Sequence, residues 1–218
     1  MPKYEGTLSS INMEQVRQYA AQRGQTDIDD SVLSEACTTV LHLAKPKGVF
    51  QQGFYDAASH HLLCSAPFKL NSTKLTSYIE QARIILMAAV TIGPAIEKEI
   101  DNRFLNQDVT GGIVLDSAAA VATGQLLTQL TDHITELCEP KGYKILWRIS
   151  PGTADWPIGQ QLDLANAAGG GQIGLTVTAG GMLSPRKTLT ALFGLIQTEN
   201  GCGGSCSSCS MSGCCGSC

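Results

Sequence analysis

A chain of 218 residues with 43% apolar side chains holds enough material for one sizeable core, and so for a single globular domain or a domain with a small appendage. A formal charge of −4 with no basic run excludes a general nucleic-acid binder, whose affinity rests on clustered Lys and Arg. The most hydrophobic stretch, Ile84 to Ile96, is too short for a membrane span and contains Gly93-Pro94, and the opening MPKYEGTLSSINMEQ lacks a signal-peptide core, so the chain reads as cytoplasmic.

Taken in order, Ser9-Ser10 can cap a first helix with Met13, Val16, Tyr19 and Ala20 on one face and Gly24 as its stop. Asp30 or Ser31 caps a second, in which Val32, Leu33, Ala36, Val40 and Leu43 recur at helical spacing until Lys45-Pro46. His42 near that face is a packed or surface residue. The pattern then turns strand-like over Val49–Tyr55 and His60–Cys64, with a turn around residues 56–59, which predicts a hairpin. His60 and His61 project to opposite faces of such a strand, which argues against a shared metal ion with Cys64.

Residues 72–82 form a helical stripe of Leu75, Tyr78, Ile79 and Ala82, and the unbroken run Ile84–Ile92 predicts a strand buried on both faces. Gly93-Pro94 opens a helix over 95–104. That corner is either an anion site at a helix N-terminus or a plain connection. A long helix follows from about Asp108 to Cys138, with small residues at Ala118–Ala122 for close packing. Asp116 inside its apolar stretch is either bonded to a neighbouring loop or turned toward a site.

The stretch Trp147–Pro157, WRISPGTADWP, organises the C-terminal half. A strand over Tyr143–Ile149 delivers Arg148, a guanidinium fork suited to a carboxylate or phosphate, and Ser150-Pro151-Gly152-Thr153 then bends the backbone. This is either a small anion-and-ring pocket or ordinary turn chemistry with a surface charge. Beyond it come a helix over 158–167, a glycine break at 169–171, an alternating strand over 173–178, a loop to Lys187 and a last strand over 188–197. The loop sets Arg186-Lys187 beside Gly180-Gly181, which is either a close-approach anion site or a solvated turn.

Cysteine usage separates the C-terminus from the rest. Cys37, Cys64 and Cys138 are scattered, whereas Cys202, Cys206, Cys209, Cys214, Cys215 and Cys218 crowd a stretch of glycine and serine. In a reducing compartment such thiols suit a metal better than a disulfide framework. The readings are an iron–sulfur cluster, zinc or another thiophilic ion, or an uncoordinated redox-active tail. The division is therefore a body over 1–198 and a Cys/Gly/Ser-rich tail over 199–218.

The elements YAAQRGQ with LAKP, AVTIGPAIEKEI, VLDSAAAVATG, RISPGTADWPIGQQ and MLSPRKTLTALFGL, in this order over most of residues 11–198, resemble the small stand-alone relatives of the activation domain of cobalamin-dependent methionine synthase. The resemblance implies an α+β domain with a twisted, largely antiparallel sheet packed with helices, binding S-adenosylmethionine. In that enzyme the domain presents the sulfonium methyl to a cobalamin oxidised to Co(II) while an electron donor reduces it, regenerating methylcobalamin. Carried over, Arg148 matches the arginine for the ligand's carboxylate, and Ser150 and Gly152 match backbone contacts. Thr153 stands where the family has a tyrosine, and the acidic residue expected on the long helix falls near Gly124 beside Gln125; each departure removes a ligand contact.

No cobalamin-binding motif of the Asp-x-His-x-x-Gly kind is present, so a corrinoid must come with a partner protein. The sequence thus predicts a component of methionine synthase-type methyl transfer that reactivates a partner's corrinoid, with the tail supplying an electron-transfer cluster. The alternative is a non-catalytic metal or iron–sulfur redox carrier with a decayed ligand pocket.

Overall fold

The computed structural model describes residues 3–198. The six cysteines from Cys202 to Cys218 assigned to metal lie outside the described residues.

The all-apolar run predicted as a doubly buried strand is the middle of the sheet. This strand, β5 (Ile84–Thr91), lies between β2 (Lys47–Asp56) and β9 (Thr188–Gln197). From one edge to the other the order is β4 (Phe68–Lys69), β3 (His61–Leu63), β2, β5, β9 and β6 (Tyr143–Ile149), with β1 (Lys3–Glu5) also against β2. Each of these pairings is antiparallel, as the resemblance implied.

The period-two rule sends alternate β5 side chains to two separate cores. Leu86, Ala88 and Val90 join Ala191, Phe193 and Leu195 beneath a helical layer of α1 (Met13–Ala21), α2 (Asp30–Leu43), α4 (Ala95–Leu105) and α5 (Val109–Cys138). Ile85, Met87 and Ala89 face the other way, against α3 (Thr73–Ile79), α6 (Gln161–Ala167) and the buried Trp156. Residues such as Met87, Leu115, Leu130 and Phe193 are fully enclosed, each contributing about 1.5–3 kcal/mol relative to exposure. Helix α5 is long and apolar enough to cross a membrane, but most of its apolar stretch is buried against the sheet, as in a core helix. Its buried Ala118, Ala119 and Ala122 let it lie close to the strands.

Several expectations change. The cap of α1 is Asn12, whose Oδ1 accepts the Gln15 N–H at 3.0 Å, and not Ser9-Ser10. The preceding strap is held instead by α5, since Gln129 Nε2 donates to Thr7 O at 2.8 Å and Gln125 Nε2 to Ser10 O at 3.4 Å. The alternating strand over 173–178 is mostly absent. Gly169 and Gly174 take positive φ and close a 3₁₀ turn at Gly170–Ile173, so only β7 (Thr176–Val177) remains to pair with β8 (Leu183–Ser184). Three adjacent glycines cost the chain too little to bend for an apolar alternation to hold it straight.

Candidate functional site

Arg148 owes its direction to a break in register. β6 is the edge strand on β9, paired in step from Tyr143↔Gln197 to Ile145↔Leu195, and the register then shifts so that Trp147, not Leu146, opposes Gly194. The extra residue reverses the alternation. Tyr143 and Ile145 pack toward the helical layer, whereas Trp147 and Ile149 pack into the opposite core. Arg148 thereby lands on the helical side, where Nη1 donates to Thr131 Oγ1 on α5 at 2.9 Å. In an unbroken strand it would share the face opposite Ile145. The shift fits because Gly194 leaves room for the indole, whose Nε1 donates to Tyr78 O at 3.0 Å.

On that side Arg148 lines a groove of about 640 Å³ between α1 and α5. α1 contributes Gln15, Gln18 and Tyr19, and α5 contributes Gly124, Gln125 and Thr128. Arg148 is the one charged residue of the lining. Four of the six arginines in the chain, Arg17, Arg23, Arg103 and Arg186, are in ion pairs, but Arg148 has no carboxylate partner among the described residues. Beside it, the buried Oε1 atoms of Gln125 and Gln129 accept no hydrogen bond from the described residues. The groove therefore offers one positive fork, suited to a ligand carboxylate, while the two unpaired Gln oxygens are enclosed beneath it.

The bend after Arg148 has another task. Ser150, Gly152 and Thr153 do not line the groove. Gly152 (φ +92°) donates its N–H to Trp156 O at 2.8 Å, and Thr153 donates to Ser150 O at 3.1 Å, so neither amide is free for a ligand. Asp155 then caps α3, accepting from Ser72 Oγ, Thr73 N at 3.0 Å, Thr73 Oγ1 at 2.9 Å and Lys74 N at 3.2 Å. The Ser72 hydroxyl and these donors hold its carboxyl far below the usual carboxylate range. Trp156 donates to Gln160 Oε1 at 2.9 Å, and Gln160 Nε2 reaches Lys69 O at 2.7 Å. The motif ties the strand's end to the face opposite the groove.

Of the remaining candidates, Arg186 and Lys187 do not face Gly180-Gly181. Arg186 Nη2 bonds Asp101 at 2.7 Å, and Lys187 Nζ bonds Asp116 at 2.7 Å, where Arg23 also meets the same carboxylate. Burial pushes the Lys187 ammonium below its ordinary value, with Asp116 opposing. Burial would raise Asp116, but Lys187 and Arg23 outweigh it and hold the carboxyl low. Asp116 is thus bonded to a neighbouring segment, the first of its two sequence readings. His60 and His61 diverge, to Tyr55 Oη and to Ser59 O, and among the described residues no group of His, Cys, Asp or Glu could hold a metal. Burial raises the thiols of Cys37, Cys64 and Cys138.

The sequence reading missed Thr131, Gln15 and Tyr19. Nothing in YKILWRI marks the register shift, and helix α1 read simply as a core helix. Its exposed Tyr19 was assigned to the packed face.

No family model and no curated protein matches the chain. Among solved structures, the chain is similar to one described as the MetH reactivation domain bound to AdoHcy, at 14% identity and a TM-score of 0.56, over 88% of this chain and 77% of that one. The chain therefore has the fold of that reactivation domain, a mixed helix and strand domain on an antiparallel sheet.

Proposed function

We propose that this chain binds S-adenosylmethionine in the α1–α5 groove and serves as a reactivation component for a cobalamin-dependent methyltransferase, in the cytoplasm, with the corrinoid held by a partner protein. One observation carries the reading: the only charge in the groove is a guanidinium without a carboxylate partner, in a fold that is seen elsewhere with the demethylated form of this ligand. Arg148 takes the carboxylate, and Thr131 keeps the guanidinium over the groove. Bound there, the ligand supplies an electrophilic methyl group on a sulfonium.

The tail fits the redox half of the task. β9 ends beside the start of β6, where Gln197 pairs with Tyr143 and Thr198 N donates to Gly142 O at 2.7 Å. Arg148 lies five residues along β6, roughly 17 Å away, while residues 199–218 can span up to about 3.3–3.6 Å each. In this reading Cys202, Cys206, Cys209, Cys214, Cys215 and Cys218 hold an iron–sulfur cluster, or zinc, that can be brought near the groove. A second reading has one observation in its favour. The Gly152 and Thr153 amides are occupied internally and the bend contributes no ring to the groove, as expected of a redox carrier whose ligand pocket has decayed.

Calorimetry of the anaerobically purified full chain with S-adenosylmethionine decides between them. Binding that weakens in Arg148→Ala supports the reactivation component. No binding at millimolar ligand, with metal still present, favours the carrier.

A further inference from the structure

The groove has two chemically different ends. Contacts flanking α1 fix its direction: Ser10 O accepts from Gln125 Nε2 before it, while the Arg23 guanidinium, just past its end, pairs with Asp116. Helix α1 thus runs antiparallel to α5, and Tyr19 stands toward Ala120 while Arg148 stands at Thr128 and Thr131. From Ala120 to Thr131 is eleven residues of helix, roughly 16 Å. At the far end Tyr19 is 46% exposed and is the one aromatic ring in the lining. Opposite it α5 is low and bare: Ala120 has only a methyl group, and above Gly124 nothing lies within 4 Å of where a Cβ would sit. Gln15, one turn before Tyr19, has a carboxamide with no bond to the described residues, although its backbone N–H is used by Asn12.

A ring on α1, an uncommitted carboxamide one turn before it on the same helix and small residues on the α5 side of the same groove suit a planar heterocycle with hydrogen-bonding edges. We propose that this end is the base subsite, with the ligand's purine against Tyr19 and its edge read by Gln15. The site then selects a purine nucleoside joined to an amino acid, and Tyr19 supplies the ring that Thr153 does not. The inference rests on the reading that Arg148 binds the amino-acid end.

The test uses the full chain, with S-adenosylhomocysteine, adenosine and methionine titrated separately into wild type, Tyr19→Ala, Tyr19→Phe and Arg148→Ala. Both positions are surface-exposed, and circular dichroism confirms folding of each variant. Expected is about a tenfold loss for S-adenosylhomocysteine and adenosine in Tyr19→Ala, recovery in Tyr19→Phe, and unchanged methionine binding. Arg148→Ala should show the converse, losing S-adenosylhomocysteine and methionine while keeping adenosine. Undiminished S-adenosylhomocysteine affinity in Tyr19→Ala, with loss in Arg148→Ala, overturns the base subsite and leaves the proposed function standing. Absence of S-adenosylhomocysteine binding in the wild type overturns the proposed function itself.

Discussion

The indole of Trp147 lies over Gly194, its direct partner across β6 and β9, so closely that a Cβ at Gly194 would sit 2.7 Å from the indole Nε1 and nearer still to the ring carbons. This contact follows from the register shift, which turns a large ring toward the opposite core where a glycine faces it. Gly194→Ala should therefore force the ring aside and strain its bond to Tyr78 O. Overpacking with a weakened hydrogen bond predicts a loss of about 2–3 kcal/mol. Urea unfolding followed by circular dichroism measures it. A variant as stable as the wild type would mean that the indole has another place to go.

The bond from Arg148 to Thr131 makes a second prediction. Thr131 Oγ1 donates to Leu127 O at 2.8 Å, which leaves its lone pair to receive Arg148 Nη1. Thr131→Val keeps the shape and removes the acceptor, so it should weaken S-adenosylmethionine binding by about 1 kcal/mol, whereas Thr131→Ser should restore it. Arg148→Ala should cost about 2 kcal/mol or more, because a charge-assisted bond is lost. Calorimetry reads all three; equal affinity in Thr131→Val and wild type would show that the hydroxyl does not orient the guanidinium.

Most of the architecture was legible because it depends on periodicity and punctuation. The unbroken run Ile84–Ile92 has the length and character of a doubly buried strand, which it forms over Ile84–Thr91, and Asp108 and Ser72 stand just where α5 and α3 begin, each accepting from the amide three residues on. Arg148, which lines the groove, was also legible as a guanidinium beside a bend. What stood beside it was not. A register shift leaves no mark in a strand whose apolar residues already alternate. The Pro-Gly bend was read as either a ligand pocket, because Gly152 permits close approach, or ordinary turn chemistry, and the freedom of Gly152 also serves Asp155, which needs a tight return to reach the α3 amides. Arg186 and Lys187 were read as cations beside Gly180-Gly181, at an anion site or in a solvated turn, because their actual partners, Asp116, Glu97 and Asp101, are distant in sequence.

The Lys187–Asp116 pair predicts a pH effect. The folded carboxyl of Asp116 lies below its ordinary value, so the stability it contributes is complete above the unfolded value of about 3.9 and is lost as pH falls through the folded one. Acid unfolding should therefore steepen below about pH 4, and Asp116→Asn should flatten that limb. At neutral pH the same substitution leaves the largely buried Lys187 without its counter-charge, a loss of about 2–3 kcal/mol. Replacing both, as Asp116→Leu with Lys187→Met, should recover much of that loss, since an apolar pair has no charge to desolvate. Thermal melts between pH 3 and 7 test the sequence of effects; a double variant no more stable than Asp116→Asn would show that the lost carboxylate, and not the stranded ammonium, sets the cost.

Removing residues 199–218 separates the body from the thiols. Both cores are assembled from residues before Thr198, and the last backbone bond of β9's end, Thr198 N to Gly142 O, survives the truncation. The melting temperature should then stay within about 2 °C of the full chain, because no buried apolar area is removed from the described fold. Bound metal should disappear. Cys37, Cys64 and Cys138 remain, but burial holds each as a thiol, and no three potential ligands converge among the described residues. Anaerobic metal analysis with an electronic spectrum on both forms checks this. Iron with visible absorbance in the full chain alone assigns a cluster to the tail, colourless zinc assigns a thiolate site, and metal retained by the truncated body would remove the tail from the redox role.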